Sequence, residues 1–259
     1  MDKTILKEHL AVAEEAARKA GELVLSMEHA GDLVVTTKHT NDFVTNADKA
    51  SEQLIISTVK EHFPDEDFLG EEGGEQDAGG KGRWVIDPID GTTNYFRDVP
   101  DWVISIAWEV ERNHPLVGVV YVVSQHELFS AMQGDGARLN GKPIHVSDIK
   151  DPAHSLIVCV PPHRHHEASE AYFAAEKRIF AGCSDLRSFG SCALELAYIA
   201  CGRLDGYFER FLGYYDMAAG WAILQEAGGK LDFLGPHNDG HCDFVASNGK
   251  IQDWLLKQV

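Results

Sequence analysis

"WVIDPIDGTTNY", residues 84–95, joins a hydrophobic run to a pair of acids and a turn. The run ends at two carboxylates, Asp87 and Asp90, and a proline between them and Gly91 after them favour a tight turn. Strand-forming residues that stop at paired acids and a turn usually present those acids at the edge of a sheet. The stretch therefore predicts a strand that delivers two carboxylates to a site.

The composition is that of a large, acidic globular chain. It has 259 residues, of which 44% are hydrophobic, and this is enough for one large domain or two packed halves. The 41 acidic residues outnumber the 23 lysines and arginines, which gives a formal net charge of −18. This charge disfavours nucleic acid and anionic membranes as non-specific partners, and part of the acid excess is available for metal ligation.

Targeting signals and disulfide patterns are absent from the sequence. The first residues do not combine a basic region with a long apolar stretch, and no membrane-spanning segment is visible. The five cysteines are odd in number, and none forms a C-x-x-C pair. Free thiols in a reducing cytosol follow from this pattern, so we expect a cytoplasmic protein.

Hydrophobic periodicity predicts two halves. In residues 1–150, amphipathic helices at about 4–28 and 48–62 precede a series of strands, which gives two helices over a sheet. The polar, glycine-rich stretch 72–84 predicts a mobile loop. In residues 151–259, strands and helices alternate, as in an α/β arrangement.

Acidic residues stand at the boundaries of several predicted elements, where side chains from different segments commonly converge. Glu71 lies in "LGEEGG", Asp87 and Asp90 in "DPIDGTT", and Asp216 in "YYDMAAG". Carboxylates gathered in one place repel one another unless cations lie between them, and hard oxygen ligands suit Mg²⁺. Two such ions suit phosphoryl chemistry, and helices that begin near Asp48 and Asp216 favour an anion.

Each of these acids also has a structural explanation. An acid at the start of a helix, such as Asp48 or Asp216, commonly caps the helix. Glu71, taken by itself, is explained as a solvated surface charge. A turn rich in aspartate and glycine, like the one that contains Asp87 and Asp90, can be structural as well as functional. Spacing alone does not bring the segments together.

The motifs "LGEEGG", "WVIDPIDGTTNY" and "YYDMAAGWAILQEAGG", in this order, closely resemble those of the inositol monophosphatase family. The resemblance extends over nearly the whole chain. It implies an α/β (α+β) fold, a layered αβαβα sandwich of the inositol monophosphatase and fructose-1,6-bisphosphatase type, usually as a homodimer. It also implies Mg²⁺-dependent, often lithium-sensitive hydrolysis of small phosphate monoesters.

The resemblance implies a metal site whose ligands lie mostly in the first half of the chain. The site would hold two or three Mg²⁺ ions, with Asp87 as a bridge between two of them. Asp216, in the second half, would complete the set. The implied ligands are the carboxylates of Glu71, Asp87, Asp90 and Asp216 and the backbone carbonyl of Ile89.

Catalytic and substrate-binding residues are implied as well. Thr92 with Asp48, or Glu71 acting through water, would orient and deprotonate the attacking water, and both alternatives stay open. The implied reaction is direct in-line attack without a phosphoenzyme. Glu209, in the second half, would accept hydrogen bonds from inositol hydroxyl groups. The implied substrate-binding residues are Gly91, Thr92, Ser191, Cys192 and Glu209.

Structural explanations exist for the residues on the sugar side of the implied site. A solvated strand end explains Glu209. A small, buried helix start explains Ser191 and Cys192. The segment "PPHRHH", residues 161–166, predicts an exposed loop before a helix rather than a transition-metal site.

The implied substrate is a small sugar or inositol phosphate, with myo-inositol 1-phosphate first. Thr93 supports this branch because nucleotide bisphosphatase and histidinol phosphatase relatives tend to carry lysine there. Fructose 1,6-bisphosphate, a nucleotide 3′,5′-bisphosphate and a regulatory role through a protein partner are the alternatives. Tyr215 stands where the family generally has tryptophan, so we expect the packing beside Asp216 to differ.

Overall fold

The computed structural model describes residues 1–30, 33–39 and 42–259. Within these residues, helices and sheets form a layered sandwich, which confirms the predicted fold class. No helix in the described ranges is long and apolar enough to cross a membrane. The helices are α1 (Lys3–Ala30), α2 (Asn46–His62), α3 (Thr92–Phe96), α4 (Ser169–Phe180), α5 (Cys192–Ala200), α6 (Tyr214–Glu226) and α7 (Gln252–Leu256).

The larger sheet is built from the first half of the chain. A separate antiparallel pair, β1 (Val35–His39) and β2 (Asp42–Thr45), precedes it. In the larger sheet, β3 pairs in parallel with β5, and the other neighbours are antiparallel. Its strands are β3 (Asp67–Gly70), β4 (Gly74–Gln76), β5 (Arg83–Asp90), β6 (Val103–Glu109), β7 (Pro115–Val122), β8 (Glu127–Met132), β9 (Ala137–Leu139) and β10 (Lys142–Ile144), in the spatial order β10-β9-β8-β7-β6-β5-β3-β4.

The smaller sheet is built from the second half. Its first strand pairs in parallel with two neighbours, and the remaining pairs are antiparallel. The strands are β11 (Leu156–Cys159), β12 (Asp185–Arg187), β13 (Gly206–Leu212), β14 (Lys230–Phe233) and β15 (Cys242–Ser247), in the spatial order β12-β11-β13-β15-β14.

Three helical layers enclose the two sheets. The alternation along β5 shows how the sequence specifies two of them: Trp84 and Ile86 pack with α1 and α2, whereas Val85 packs with α5 and α6. Both faces of β5 are buried, and Trp84, Val85 and Ile86 accordingly form a continuous hydrophobic run before the acids begin at Asp87. Helices α5 and α6 also pack on the smaller sheet, and α4 and α7 cover its outer face. The two halves therefore share one central core.

Two local predictions differ from the structure. Helix α2 begins at Asn46 rather than near Asp48 because Thr45 caps it: the Thr45 side chain accepts from the amide of Ala47 at 3.1 Å. The predicted loop at 72–84 contains a short edge strand, β4, which pairs with β3. Glycine-rich segments have a low propensity for strands, so β4 was not predicted from composition. It forms because it pairs with the neighbouring strand β3.

Candidate active site

Five elements converge on one cleft of about 540 Å³: the end of β5, α3, the start of α5, β13 and the start of α6. Asp48 is fully buried behind the cleft and is not part of its lining. The other residues predicted for the site all line the cleft, namely Glu71, Asp87, Ile89, Asp90, Gly91, Thr92, Ser191, Cys192, Glu209 and Asp216.

A bulge at the end of β5 turns both of its acids toward this cleft. Asp87 pairs with Ser105 of β6, and the next pair joins Asp90 to Val103, so three steps on β5 match two on β6. Residues three apart on a regular strand face opposite sides of the sheet. The extra residue of the bulge turns Asp90 to the same side of the sheet as Asp87. Bulges beside active sites commonly redirect side chains in this way.

Asp87, Asp90 and Asp216 form a cluster in which one carboxylate oxygen of each lies within 4.8 Å of those of the others. Asp216 accepts a hydrogen bond from the amide of Gly213 at 2.8 Å, so it caps α6 and also belongs to the cluster. The structural and functional explanations of this residue are thus compatible. Asp87 accepts from the amide of Ile89 at 3.1 Å, which orients its carboxylate.

Two hydrogen-bond donors from the second half of the chain hold the carboxylate of Asp90 in place. Its Oδ2 accepts from Ser191 Oγ at 2.8 Å and from the amide of Ala193 at 2.7 Å. Ser191 is the N-cap residue of α5, but its hydroxyl makes no bond to its own helix. The start of α5 is therefore tied directly to the carboxylate cluster.

The electrostatics of the cluster favour a cation. Burial, and then the charges of Glu71, Asp90 and Asp216, hold the pKa of Asp87 well above its usual range. Burial and the charge of Asp216 raise the pKa of Asp90 to about 8, against the opposing effect of Ser191 and the amide of Ala193. Buried carboxylates that repel one another fit a divalent cation with hard oxygen ligands, such as Mg²⁺.

Asp48 and Thr92 form a second polar group beside the cluster. Thr92 Oγ1 lies 3.1 Å from Asp48 Oδ1 and 3.1 Å from the carbonyl oxygen of Ile89. Asp48 Oδ2 accepts from both the amide and the hydroxyl of Thr45, each at 2.7 Å, so this acid also caps α2. Burial raises the pKa of Asp48, and its hydrogen bonds to Thr45 and Thr92 oppose the rise.

Gly91 stands at a position that other residues fit poorly. Its φ is +94°, and a Cβ placed there would lie 3.0 Å from the carbonyl oxygen of Asp101. We expect Gly91→Ala to lower the free energy of unfolding by about 2 kcal/mol or more, measured by urea denaturation. Gly141→Ala is the control, because Gly141 has φ +76° and nothing within 4 Å of such a Cβ. Equal costs for the two variants would contradict a steric role for Gly91.

The wall of the cleft that contains Glu209 is buried. Glu209 is only 7% exposed and accepts a hydrogen bond from the hydroxyl of Tyr207, so a solvated strand end is wrong as its explanation. Cys192 is buried beside it, as a small helix start predicts. Tyr215 is half-buried, and its ring packs so closely on Gly213 that a Cβ there would lie 2.5 Å from it.

Sequence reasoning missed some residues of the lining. Glu195 lies in the apolar helix α5 and is fully buried, and a single acid within such a hydrophobic run is the signal that could have found it. His163 and Arg164 belong to the loop that "PPHRHH" predicts, and both are exposed, but they also line the cleft. No pattern in that segment indicates where the loop lies.

Comparison with known proteins identifies the family of this chain as well as its fold. The model of the inositol monophosphatase family matches residues 5–259. The chain belongs to this family. It is 40% identical over 256 residues to Nus factor SuhB of Escherichia coli, and the match covers 96% of this chain and 95% of that protein.

Solved structures share the fold over nearly their whole length. The suhB protein of Bartonella henselae superposes with a TM-score of 0.90 at 32% identity, covering 97% of this chain and 98% of that one. The inositol monophosphatase of Anabaena (Nostoc) gives a TM-score of 0.85 at 34% identity, covering 98% and 95%. The layered sandwich is therefore the common fold of these relatives.

Proposed function

We propose that this family member is a Mg²⁺-dependent hydrolase of small phosphate monoesters, with myo-inositol 1-phosphate as the first candidate substrate. The observation that carries the proposal is the cluster of Asp87, Asp90 and Asp216 in a cleft that also contains Thr92. The name of the Anabaena relative, an inositol monophosphatase, supports the choice of substrate.

The proposed metal ligands are those that the family resemblance implies. Glu71, Asp87, Asp90, Asp216 and the carbonyl of Ile89 would hold two or three Mg²⁺ ions. When bound, the ions supply Lewis-acid chemistry, which neutralises phosphate charge and lowers the pKa of water. Glu71 is not one of the three clustered aspartates, but it lines the same cleft and its charge raises the pKa of Asp87, which supports its inclusion among the ligands.

Thr92 and Asp48 are the proposed base for the attacking water. The Thr92 hydroxyl would accept the proton of the water and pass its own proton to Asp48 Oδ1, which lies 3.1 Å away. The raised pKa of Asp48 makes this carboxylate a stronger proton acceptor than an exposed aspartate. Glu71, acting through water, is the alternative base.

The remaining residues of the cleft would orient the substrate. Gly91 and Thr92 would meet phosphate oxygens with their amides. Ser191 and Cys192 would line the sugar, and the buried carboxyl group of Glu209 would bind its hydroxyl groups. Homodimer formation, cytoplasmic location and lithium sensitivity are further proposals, which rest on the resemblance and on the sequence.

The proposal is tested by phosphate release from three substrates: inositol 1-phosphate, fructose 1,6-bisphosphate and 3′-phosphoadenosine 5′-phosphate. Each is assayed with Mg²⁺ and with EDTA. We expect release that EDTA abolishes and that is fastest from inositol 1-phosphate, by about 10-fold or more, because hydroxyl groups that differ in number and arrangement leave buried polar groups of the site unpaired. Faster release from another substrate would overturn the substrate assignment, and no release from any of them would contradict the enzymatic role.

A regulatory role through a protein partner is the second candidate. It is favoured by the name Nus factor SuhB, which the Escherichia coli relative bears at 40% identity. Binding to such a partner would not require the carboxylate cluster. A variant without metal-dependent activity that still retains a cellular partner in a pull-down would support this role beside the enzymatic one.

A further inference from the structure

A second carboxyl group lies near Glu209 on the sugar side of the cleft. Glu195 is in the first turn of α5, three residues after Cys192, so the two side chains share a face of the helix. Glu195 and Glu209 both line the cleft, and the charge of Glu195 is the strongest electrostatic influence that raises the pKa of Glu209. Glu195 is not among the substrate-binding residues that the family resemblance implies.

The two oxygens of Glu195 have different surroundings. Oε1 accepts a hydrogen bond from the amide of Phe189 at 2.6 Å, which holds the chain just before α5. Oε2 is buried and has no hydrogen-bond partner among the described residues. Buried polar atoms are nearly always paired in native proteins, so an unpaired carboxylate oxygen on a cleft wall indicates a partner that arrives with a ligand.

Tyr207 is a hydrogen-bond donor near both acids, and it donates to Glu209. Its hydroxyl hydrogen is directed to Glu209 Oε2; the same hydroxyl lies near enough to Glu195 to lower the pKa of that acid, although it makes no hydrogen bond of good geometry to Glu195 Oε2. Burial raises the pKa of Glu195 to about 7, and burial and the charge of Glu195 raise that of Glu209 well above its usual value. These raised pKa values disfavour two negative charges side by side in the pair. Such a pair suits hydroxyl groups, which donate and accept hydrogen bonds.

We propose that Glu195 is a specificity-determining residue whose Oε2 binds a substrate hydroxyl group next to the one bound by Glu209. The proposal rests on the proposed phosphatase function and narrows its substrate class to phosphate esters of a polyol with at least two hydroxyl groups close together. Glu195 takes no part in the attack on phosphorus.

Glu195→Gln tests the proposal because the amide oxygen of glutamine can still accept from Phe189. Wild type and variant are compared on inositol 1-phosphate and on p-nitrophenyl phosphate, whose leaving group has no hydroxyl group to bind and departs readily. We expect KM for inositol 1-phosphate to rise about 10-fold, as for the loss of a hydrogen bond to a charged group, and KM for p-nitrophenyl phosphate to change less than about twofold. Glu176→Gln, on α4, is the control and should change neither KM.

The outcomes separate this proposal from the function on which it rests. If the wild type releases no phosphate from either ester with Mg²⁺, the proposed function itself fails. If the wild type is active and Glu195→Gln changes both substrates equally, or neither, Glu195 has only a structural role and the inference is overturned. Activity of the variant on p-nitrophenyl phosphate also shows that it is folded.

Discussion

Asp90→Asn is expected to lower kcat for phosphate release by at least about 100-fold, a loss typical of the removal of one electrostatic contact to a transition state. Asp90 carries one of the three clustered carboxylates, and asparagine replaces its charged oxygen with a neutral amide group. KM should change much less, because the charge that develops on the departing oxygen is greatest in the transition state.

The fold should survive this substitution. The side chain of asparagine has nearly the same shape, and its carbonyl oxygen can accept from Ser191 and from the amide of Ala193. Circular dichroism and urea denaturation check this point. Asp253→Asn is the matched control, since Asp253 is exposed in α7, far along the chain from the cluster. Near-normal turnover of Asp90→Asn would contradict the assignment of the metal site.

Without divalent cations, the protein should lose stability as the pH rises from 6 to 8. The pKa of Asp90 is about 8 in the folded protein, against an ordinary value of 3.8. Between these values the folded state keeps a proton that the unfolded state has released, so the free energy of unfolding falls with rising pH and levels off above the folded pKa. The expected loss from this group is about 2 kcal/mol over that interval. The raised pKa of Asp87 acts in the same direction.

Mg²⁺ should reverse this loss. A cation that binds only the folded protein stabilises it in proportion to the logarithm of its concentration relative to Kd. The measurement is urea denaturation at several pH values, first with EDTA and then with excess Mg²⁺. In EDTA, Asp90→Asn should have a flatter pH profile than the wild type. A stability in EDTA that is independent of pH, or that rises with pH, would show that the carboxylates do not repel one another as described.

The sequence was sufficient for the elements that depend on local pattern. Helices α1 and α2 follow from hydrophobic periodicity, and β5 from a run that ends at Asp87. The layered sandwich came from the resemblance, and the order of the strands was not predicted, because pairing between distant strands leaves no local trace in the sequence. The predicted boundary near residue 150 lies between β10 and β11, but the core of α5 and α6 joins the halves across it.

The same distinction between local pattern and long-range packing applies to the residues of the site. Its acids were found because Asp87, Asp90 and Asp216 stand at element boundaries, whereas their convergence depends on a bulge in β5 that no pattern indicates. Glu195 was missed because its environment arises only when α5 packs beside β13. A buried acid in an apolar helix is a signal for such residues, but it does not identify the oxygen that faces a ligand.

The most direct test of the metal site is anomalous diffraction from crystals grown with Mn²⁺ in place of Mg²⁺, since Mn²⁺ accepts the same oxygen ligands. We predict an anomalous peak bound by the carboxylates of Asp87, Asp90 and Asp216. Crystals that contain Mn²⁺ at other positions but show no peak at these three residues would contradict the central claim that the cluster is a catalytic metal site.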